Sequence, residues 1–170
     1  MRLRSSFPGF TLLEMLTVIA IIMVLVGLLF PATRLLRQAA RRRLAATQAR
    51  CIAQAAMEYR AVYQRWPGQN QGAVDTVATN YGTFLGDLTN NPRGSTFLRD
   101  LEDLVSGDCL LDPWNRPYGV ALDENGDGML DINIGGFGSP VVTNVRESVG
   151  VFSWGPDTAI PSLRVYSWKP

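Results

Sequence analysis

The chain has 170 residues, of which 46% are hydrophobic and 18% are charged, and its formal net charge is +1. This length and composition predict one modest globular domain with an appendage and exclude an intrinsically disordered chain. The sequence contains no histidine, which excludes nucleophile arrangements with a histidine base and metal sites with a histidine ligand. We therefore expect a protein that is not an enzyme.

Charge is distributed unevenly along the chain. Residues 1–66 contain ten arginines and two acids, a balance of +8, whereas residues 67–170 have a balance of −7. Two interpretations are open: the halves of neighbouring copies attract each other, or the chain has two solvated surfaces of opposite sign.

The first 33 residues predict a membrane segment that follows a short basic stretch. Residues 1–9, MRLRSSFPG, are short and basic, and the chain from Met15 to Thr33 carries no charge. About 20 apolar residues span a bilayer as a helix, and the apolar core of a cleaved secretory signal is shorter. A retained transmembrane helix over residues 10–33 is therefore predicted. The arginines that follow it outnumber Arg2 and Arg4, so the positive-inside rule alone places the C-terminal part in the cytoplasm.

The helical pattern continues as an amphipathic helix over residues 34–66, until Pro67 and Gly68 end it. Apolar positions spaced by three or four predict one stripe that packs in the core of the soluble domain. The stripe consists of Leu36, Ala40, Leu44, Thr47, Cys51, Ala55, Tyr59, Val62 and Trp66.

Residues 67–170 predict a globular head. A short helix is expected from Ser95, with Phe97, Leu101 and Leu104 on one side. Four strands are expected, from Tyr118 to Leu122, Met129 to Ile134, Val149 to Trp154 and Leu163 to Trp168. Gly119 weakens the first of them. An antiparallel sheet packed on the helix stripe would bury both apolar faces, which predicts an α+β fold.

The segment DENGDGMLD, residues 123–131, has the spacing of oxygen ligands in calcium loops. The predicted ligands are Asp123, Asn125, Asp127, the Met129 carbonyl and Asp131. Position twelve is Ile134 and no flanking helices are evident, so the segment is not an EF-hand. The alternative is a polar hairpin turn, because Asn-Gly and Asp-Gly favour such turns.

Cys51 and Cys109 are the two cysteines. Outside the cytoplasm they could form a disulfide between the helix and the sheet. The alternative is a pair of buried free thiols.

The string GFTLLE, residues 9–14, follows a basic leader, precedes an apolar span and resembles the N-terminus of type IV pilins and type II secretion pseudopilins. The resemblance implies that a prepilin peptidase cuts after Gly9 and that the new amino terminus on Phe10 is N-methylated. It also implies that Glu14 pairs with the Phe10 amino group of an adjacent subunit. Such a partner offsets much of the cost of a carboxylate in hydrocarbon. From the residues alone, Glu14 would instead reach toward the headgroups from the first helical turn.

Two C-terminal segments, LLDPWNRPYGV (110–120) and VFSWGPDT (151–158), resemble signatures of the major pseudopilin of type II secretion. The matching residues are Asp112, Pro113, Trp114, Pro117, Tyr118, Ser153, Gly155 and Asp157. Asn115 and Thr158 stand where the signatures have glycine, and asparagine tolerates a left-handed backbone better than most residues. No acid follows Asp157, so the calcium loop of that family is incomplete and Asp157 is expected at most to assist the site at 123–131.

The resemblance implies a type IV pilin-like fold, in which a long N-terminal helix, transmembrane in its first half, packs on a small antiparallel sheet. It implies a structural subunit of a type II secretion pseudopilus that helps to move folded proteins across the outer membrane. A subunit of a type IV pilus or DNA-uptake filament is the alternative. Expected partners are further copies in a homopolymer, the prepilin peptidase, the inner-membrane platform and minor pseudopilins, and no nucleic acid. The implied location is the inner membrane, single-pass, with the globular part periplasmic and assembled into a periplasmic filament.

Overall fold

The computed structural model of the protein describes residues 9–68, 76–77, 81–99, 101–133 and 142–168. The α-helices in these ranges are α1, Leu12–Tyr63, and α2, Tyr81–Thr89, and short 3-10 helices occupy Glu102–Leu104 and Pro161–Leu163. The strands are β1 Thr76–Val77, β2 Val105–Ser106, β3 Cys109–Leu110, β4 Gly119–Leu122, β5 Leu130–Asn133, β6 Val142–Val145, β7 Val149–Ser153 and β8 Val165–Tyr166. The chain divides into two compact units, Met1–Ala40 and Arg41–Pro170. The α+β class predicted from the sequence is confirmed.

The described part of the first unit contains the beginning of α1. Its large apolar side chains between residues 10 and 26 are all exposed, from 45% for Val18 to 86% for Leu12. Over the residues that the structure describes, no helix is both long and apolar enough to cross a membrane. The transmembrane helix predicted over residues 10–33 is therefore not confirmed and stays a prediction.

The second unit is built around a four-stranded antiparallel sheet in the order β1-β4-β7-β8. Two further antiparallel pairs, β2 with β3 and β5 with β6, lie beside it in the described ranges. The strands predicted near Tyr118, Met129 and Val149 are confirmed as β4, β5 and β7, although Ile134 lies outside the described residues. The fourth predicted strand is shorter than expected, because the 3-10 helix Pro161–Leu163 occupies its beginning and leaves only β8.

Each face of the central sheet carries its own apolar cluster. On one face, residues of β4 and β7 such as Val120 and Val151 pack with Ile52 and Tyr59 of α1. The other face buries Ala121, Leu130, Val145 and Phe152 together. The predicted packing of the C-terminal part of the helix on a small antiparallel sheet is thus confirmed within the second unit.

The stripe of α1 that packs on the sheet differs from the predicted stripe by about one residue. The buried positions are Ala45, Ala49, Ile52, Ala53, Ala55, Ala56 and Tyr59, followed after the helix by Trp66. The prediction was right for Ala55, Tyr59 and Trp66, and Val62 packs partly buried against the core. It was wrong for five exposed residues: Leu36, Ala40, Leu44, Thr47 and Cys51. Alanine occurs on several sides of this helix, so the spacing of apolar residues does not single out one face.

The end of α1 lies before the predicted position at Trp66. The helix ends at Tyr63, and Gln64 takes a left-handed backbone with φ of 57°. The Gln64 side-chain amide donates to the Ala61 carbonyl at 3.0 Å. This bond satisfies one of the carbonyls that a helix end leaves free.

The prediction of a helix that begins at Ser95 is wrong. Within the described residues 95–99 and 101–106, the helical residues are those of the 3-10 helix Glu102–Leu104 alone. Asn91, which is buried, holds the chain in a loop: its side-chain oxygen accepts the Ser95 N–H at 3.0 Å and its side-chain nitrogen donates to the Ser95 carbonyl at 2.5 Å. Phe97 and Leu101 are nevertheless buried, as the apolar pattern indicated.

Gly119 is the first residue of β4, and all four residues of this strand are buried. The aromatic ring of Phe152, its partner on β7, lies where a Cβ atom of residue 119 would be. A glycine is therefore required for this close approach of ring and backbone.

Candidate functional site

Glu14 belongs to a reciprocal cap at the beginning of α1. Its Oε2 atom accepts hydrogen bonds from the backbone N–H and the hydroxyl of Thr11, both at 2.8 Å, and the Glu14 N–H donates to the Thr11 hydroxyl at 3.2 Å. This is the capping-box arrangement, which satisfies two N–H groups that a helix start leaves free. Both contacts use Oε2, so Oε1 is available to another donor.

Gly9 and Phe10, the residues of the predicted cleavage site, precede the helix and are exposed. The Phe10 side chain is 70% exposed, and among the described residues beyond its chain neighbours no atom lies within 4 Å of the position that a Cβ on Gly9 would occupy. The peptide bond between them lies in non-helical backbone. Exposed segments outside helices and strands are the sites that peptidases commonly cleave.

The two segments that resemble pseudopilin signatures meet in space around Asp112, which is 5% exposed. One carboxylate oxygen of Asp112 accepts the N–H groups of Trp114 and Arg116, both at 2.9 Å. The other accepts the hydroxyl of Ser153 at 2.5 Å. The Ser153 oxygen accepts the N–H of Gly155 at 3.0 Å. The Asp112 carboxylate therefore accepts three hydrogen bonds, and with the bond from Gly155 to Ser153 they form one buried network of four bonds that joins both segments.

Arg116 strengthens the same junction. Its guanidinium donates to the carbonyl of Gly155 at 2.8 Å and to the carbonyl of Pro156 at 3.2 Å. Gly155 has φ of +72°, and a Cβ there would meet the Leu163 carbonyl. Asn115 also has a left-handed backbone, with φ of 63°, so the asparagine in place of the usual glycine adopts the conformation that a glycine would favour.

Of the predicted calcium ligands, Asp123, Asn125, Asp127 and Met129 lie in the loop between β4 and β5, and Asp131 lies on β5 itself. Within the described residues, β4 and β5 pair with other strands and not with each other. The hairpin alternative is therefore wrong. Asp123 is 2% exposed, and its two oxygens accept the N–H groups of Gly126 at 2.7 Å and Gly128 at 3.1 Å. Asp127 accepts the Met129 N–H at 2.8 Å and the Asn125 side-chain amide at 3.1 Å.

The carboxylates of Asp123 and Asp127 thus accept N–H groups of their own loop. No group of three or more metal-binding side chains of the His, Cys, Asp and Glu types occurs in the described ranges, although the side chain of Asp131 is outside them. Asp157 is exposed, and its Oδ1 accepts the N–H of Ala159 at 2.9 Å. Calcium binding at Asp123, Asn125, Asp127, Met129 and Asp131 stays a prediction.

Cys51 and Cys109 are both free thiols in the structure, Cys51 exposed and Cys109 half-buried on β3. The suggested disulfide is absent because Cys51 lies on the side of α1 that faces away from the core, next to the buried Ile52.

Sequence reasoning missed the role of Thr11 in the cap and that of Arg116 in the network. The first had a signal, since Thr-x-x-Glu before an apolar run is the sequence signature of a capping box. The second had none, because nothing in the sequence places Arg116 beside two carbonyls some 40 positions away.

Comparison with known proteins gives one match. Residues 4–30 match the model of the prokaryotic N-terminal methylation motif. No curated protein and no solved structure is similar enough to match the chain. The matched region contains Gly9, Phe10, Thr11 and Glu14. The motif indicates the precursor of a type IV pilin-like structural subunit, of pili or of pseudopili, that is processed by a prepilin peptidase and assembled into a filament.

Proposed function

We propose that the protein is a structural subunit of a type II secretion pseudopilus, which helps to move folded proteins across the outer membrane. The observation that carries this proposal is the buried network around Asp112 and Ser153. The two segments that resemble the major pseudopilin lie far apart in the sequence, yet their matching polar residues bond to each other. Two similar segments that also bond to each other in the structure support a relationship to the major pseudopilin better than two short similarities taken separately.

The proposed assembly begins in the inner membrane, with a single-pass helix over residues 10–33 and the globular part in the periplasm. Cleavage after Gly9 would release a positive amino group on Phe10, which is then methylated. The Oε1 atom of Glu14 is available to that amino group on an adjacent copy, while Thr11 holds Oε2. The bonds from Thr11 fix the direction of the carboxylate. In hydrocarbon, docking onto a filament would pair the Glu14 carboxylate with the Phe10 amino group of the adjacent copy. The pair has a lower free energy than the unpaired carboxylate, and this difference in free energy favours assembly.

The inner-membrane platform and minor pseudopilins are proposed as further partners. The type IV pilus and the DNA-uptake filament share the N-terminal motif, so the motif does not separate them from the pseudopilus.

A deletion in the native host separates these functions. We expect the deletion strain to retain folded exoproteins in the periplasm, and to keep its surface pili and its uptake of DNA. Complementation with the parent chain should restore secretion, and complementation with Gly9→Leu should not, because the leader would stay attached and the protein would run as a heavier band. Normal secretion together with lost pili or lost DNA uptake would refute the pseudopilus assignment.

A further inference from the structure

A cleft of about 600 Å³ in the second unit gathers positive charge from distant parts of the chain. Arg42 and Arg43 line it from α1, and Arg164 lines it from the segment before β8. The lining also includes Ser162 and Tyr166, and it includes no acid. We call this the basic cleft. Three guanidinium groups with hydroxyls beside them are a binding surface for oxyanions, since guanidinium forks match carboxylate and phosphate groups.

The basic cleft is partly built and partly open. Arg164 is only 9% exposed, and its guanidinium lies 5.0 Å from the centre of the Trp154 ring, a cation–π contact that fixes its position. Arg42 and Arg43 are exposed. The one ion pair within the described residues joins Arg65 to Asp87, so neither Arg42 nor Arg43 is neutralised by a carboxylate from the described part of its own chain.

An acidic segment of complementary charge is exposed elsewhere on the same unit. Glu102, Asp103 and Asp108 lie within seven positions, and all three are exposed. None of them forms an ion pair with a described residue. The loop at residues 123–131 is also acidic, but there Asp123 is buried and both it and Asp127 bond within the loop. The segment 102–108 is therefore the exposed surface best able to supply free carboxylates.

We propose that the basic cleft of one copy receives the acidic segment 102–108 of a second copy. Once the leader with Arg2 and Arg4 is removed, residues 10–66 contain eight arginines and two acids, a balance of +6, and residues 67–170 have a balance of −7, so each copy carries both a basic and an acidic surface. Such a contact is head-to-tail, so it continues from copy to copy and builds a filament or a ring. The inference rests on the proposed filament function and names a contact that guides the stacking of the globular parts.

Crosslinking between full-length copies in membranes tests the contact. One tagged copy carries Ser162→Cys and a second carries Asp103→Cys, both with Cys51→Ser and Cys109→Ser. We expect a disulfide-linked dimer on oxidation. Arg42→Glu with Arg43→Glu in the first copy should lower its yield about tenfold, since like charges would then meet. Glu102→Arg with Asp108→Arg in the second copy should restore it.

Two controls decide how the result is interpreted. A second copy with Glu147→Cys, an exposed position outside the segment, should give no dimer, and Arg42→Lys with Arg43→Lys should retain most of the yield. Equal crosslinking through residue 147, or no response to charge reversal, would overturn the proposal. A lipid headgroup would be the occupant instead if two results came together. The parent chain would bind phosphatidylglycerol vesicles and lose this binding on charge reversal of Arg42 and Arg43. Charge reversal of Glu102 and Asp108 would leave the crosslinking yield unchanged. The dimer is measured independently of secretion, so a failed docking contact and a failed pseudopilus function give different results.

Discussion

The hydroxyl of Ser153 donates a hydrogen bond to a carboxylate oxygen of Asp112 at 2.5 Å, across 41 positions of the chain. Both side chains are buried. The bond connects the end of β7 to the turn that precedes β4, so two neighbouring strands of the central sheet are joined at their ends as well as along their length. The turn before β4 is thereby fixed to the end of β7.

Asp112→Ala should destabilise the second unit strongly. The change leaves the N–H groups of Trp114 and Arg116 and the hydroxyl of Ser153 without their acceptor in a buried place, so we expect a loss of about 3 kcal/mol in the free energy of unfolding. Denaturant unfolding of the full-length protein in detergent, followed by tryptophan fluorescence, measures it. Asp157→Ala is the matched control and should cost under about 1 kcal/mol, because the Asp157 side chain is exposed and, among the described residues, accepts a hydrogen bond from Ala159 alone. Equal losses for the two variants would contradict the role given to the network.

Gly119→Ala should cost about 3 kcal/mol or more, because the added methyl group meets the ring of Phe152. The same unfolding experiment applies. Phe152→Leu should lower the free energy of unfolding only through its smaller side chain. The double variant, Gly119→Ala with Phe152→Leu, should lose less free energy of unfolding than the sum of the two single losses. Strict additivity would show that the ring and the glycine do not constrain each other.

The variants Glu14→Ala and Thr11→Val distinguish the role of Glu14 in the helix cap from its role in filament assembly. Glu14→Ala should leave the protein in the membrane fraction but abolish its incorporation into filaments, since the carboxylate for the neighbouring amino group is gone. Thr11→Val removes the hydroxyl of the cap and keeps the carboxylate. We expect it to weaken the first turn by about 1 kcal/mol and to reduce, without abolishing, the yield of sheared filaments. Normal polymerisation of Glu14→Ala would refute the pairing.

Stability should fall at alkaline pH through Tyr59. Burial raises the pKa of this phenol above its usual value, and the nearby Asp87 carboxylate raises it further, against the opposing charge of Arg65. Because the pKa of Tyr59 is higher in the folded than in the unfolded state, protonated Tyr59 makes its full contribution to the free energy of unfolding below pH ~10. This contribution is lost as the pH rises through the folded-state pKa. Tyr59→Phe keeps the ring beside Tyr63 and Phe97 and should lose less stability than the parent between neutral and alkaline pH. Parallel pH profiles of parent and variant would contradict this assignment.

Calcium binding at the loop of residues 123–131 can be tested directly. If the sequence prediction holds, titration calorimetry of calcium into the chelator-treated full-length protein shows a single site, and Asp127→Ala removes it. Binding would require the oxygens of Asp123 and Asp127 to share or release the loop N–H groups that they now accept. An absence of heat in the parent would leave the loop as a purely structural turn.

Strands β4, β5 and β7 were predicted, whereas β1, β2 and β3 and also the four-residue β6 were missed. Runs such as Val149–Ser153 are long enough to show an apolar pattern between turns, whereas β1, β2 and β3 are only two residues each. Such pairs form because the chain on either side brings them together, and no local signal marks them. The loop at Ser95 was mistaken for a helix for a related reason: the capping residue is present, but Asn91 bonds to its backbone instead.

The sequence names candidate site residues, whose roles stay predictions, and it does not give their geometry. The string at residues 9–14 identified Gly9, Phe10 and Glu14, and the two C-terminal segments identified Asp112 and Ser153. The bond between Asp112 and Ser153 and the left-handed backbone of Asn115 depend on how the strands meet, which composition and spacing do not specify.

Alanines form much of the surface that α1 presents to the sheet, at positions 45, 49, 53 and 56. An alanine side chain has no rotamers to lose, so docking the sheet against this part of the helix costs almost no side-chain conformational entropy. The entropy cost of ordering side chains is concentrated in the few large residues, such as Ile52 and Tyr59, that fill the spaces between the alanines.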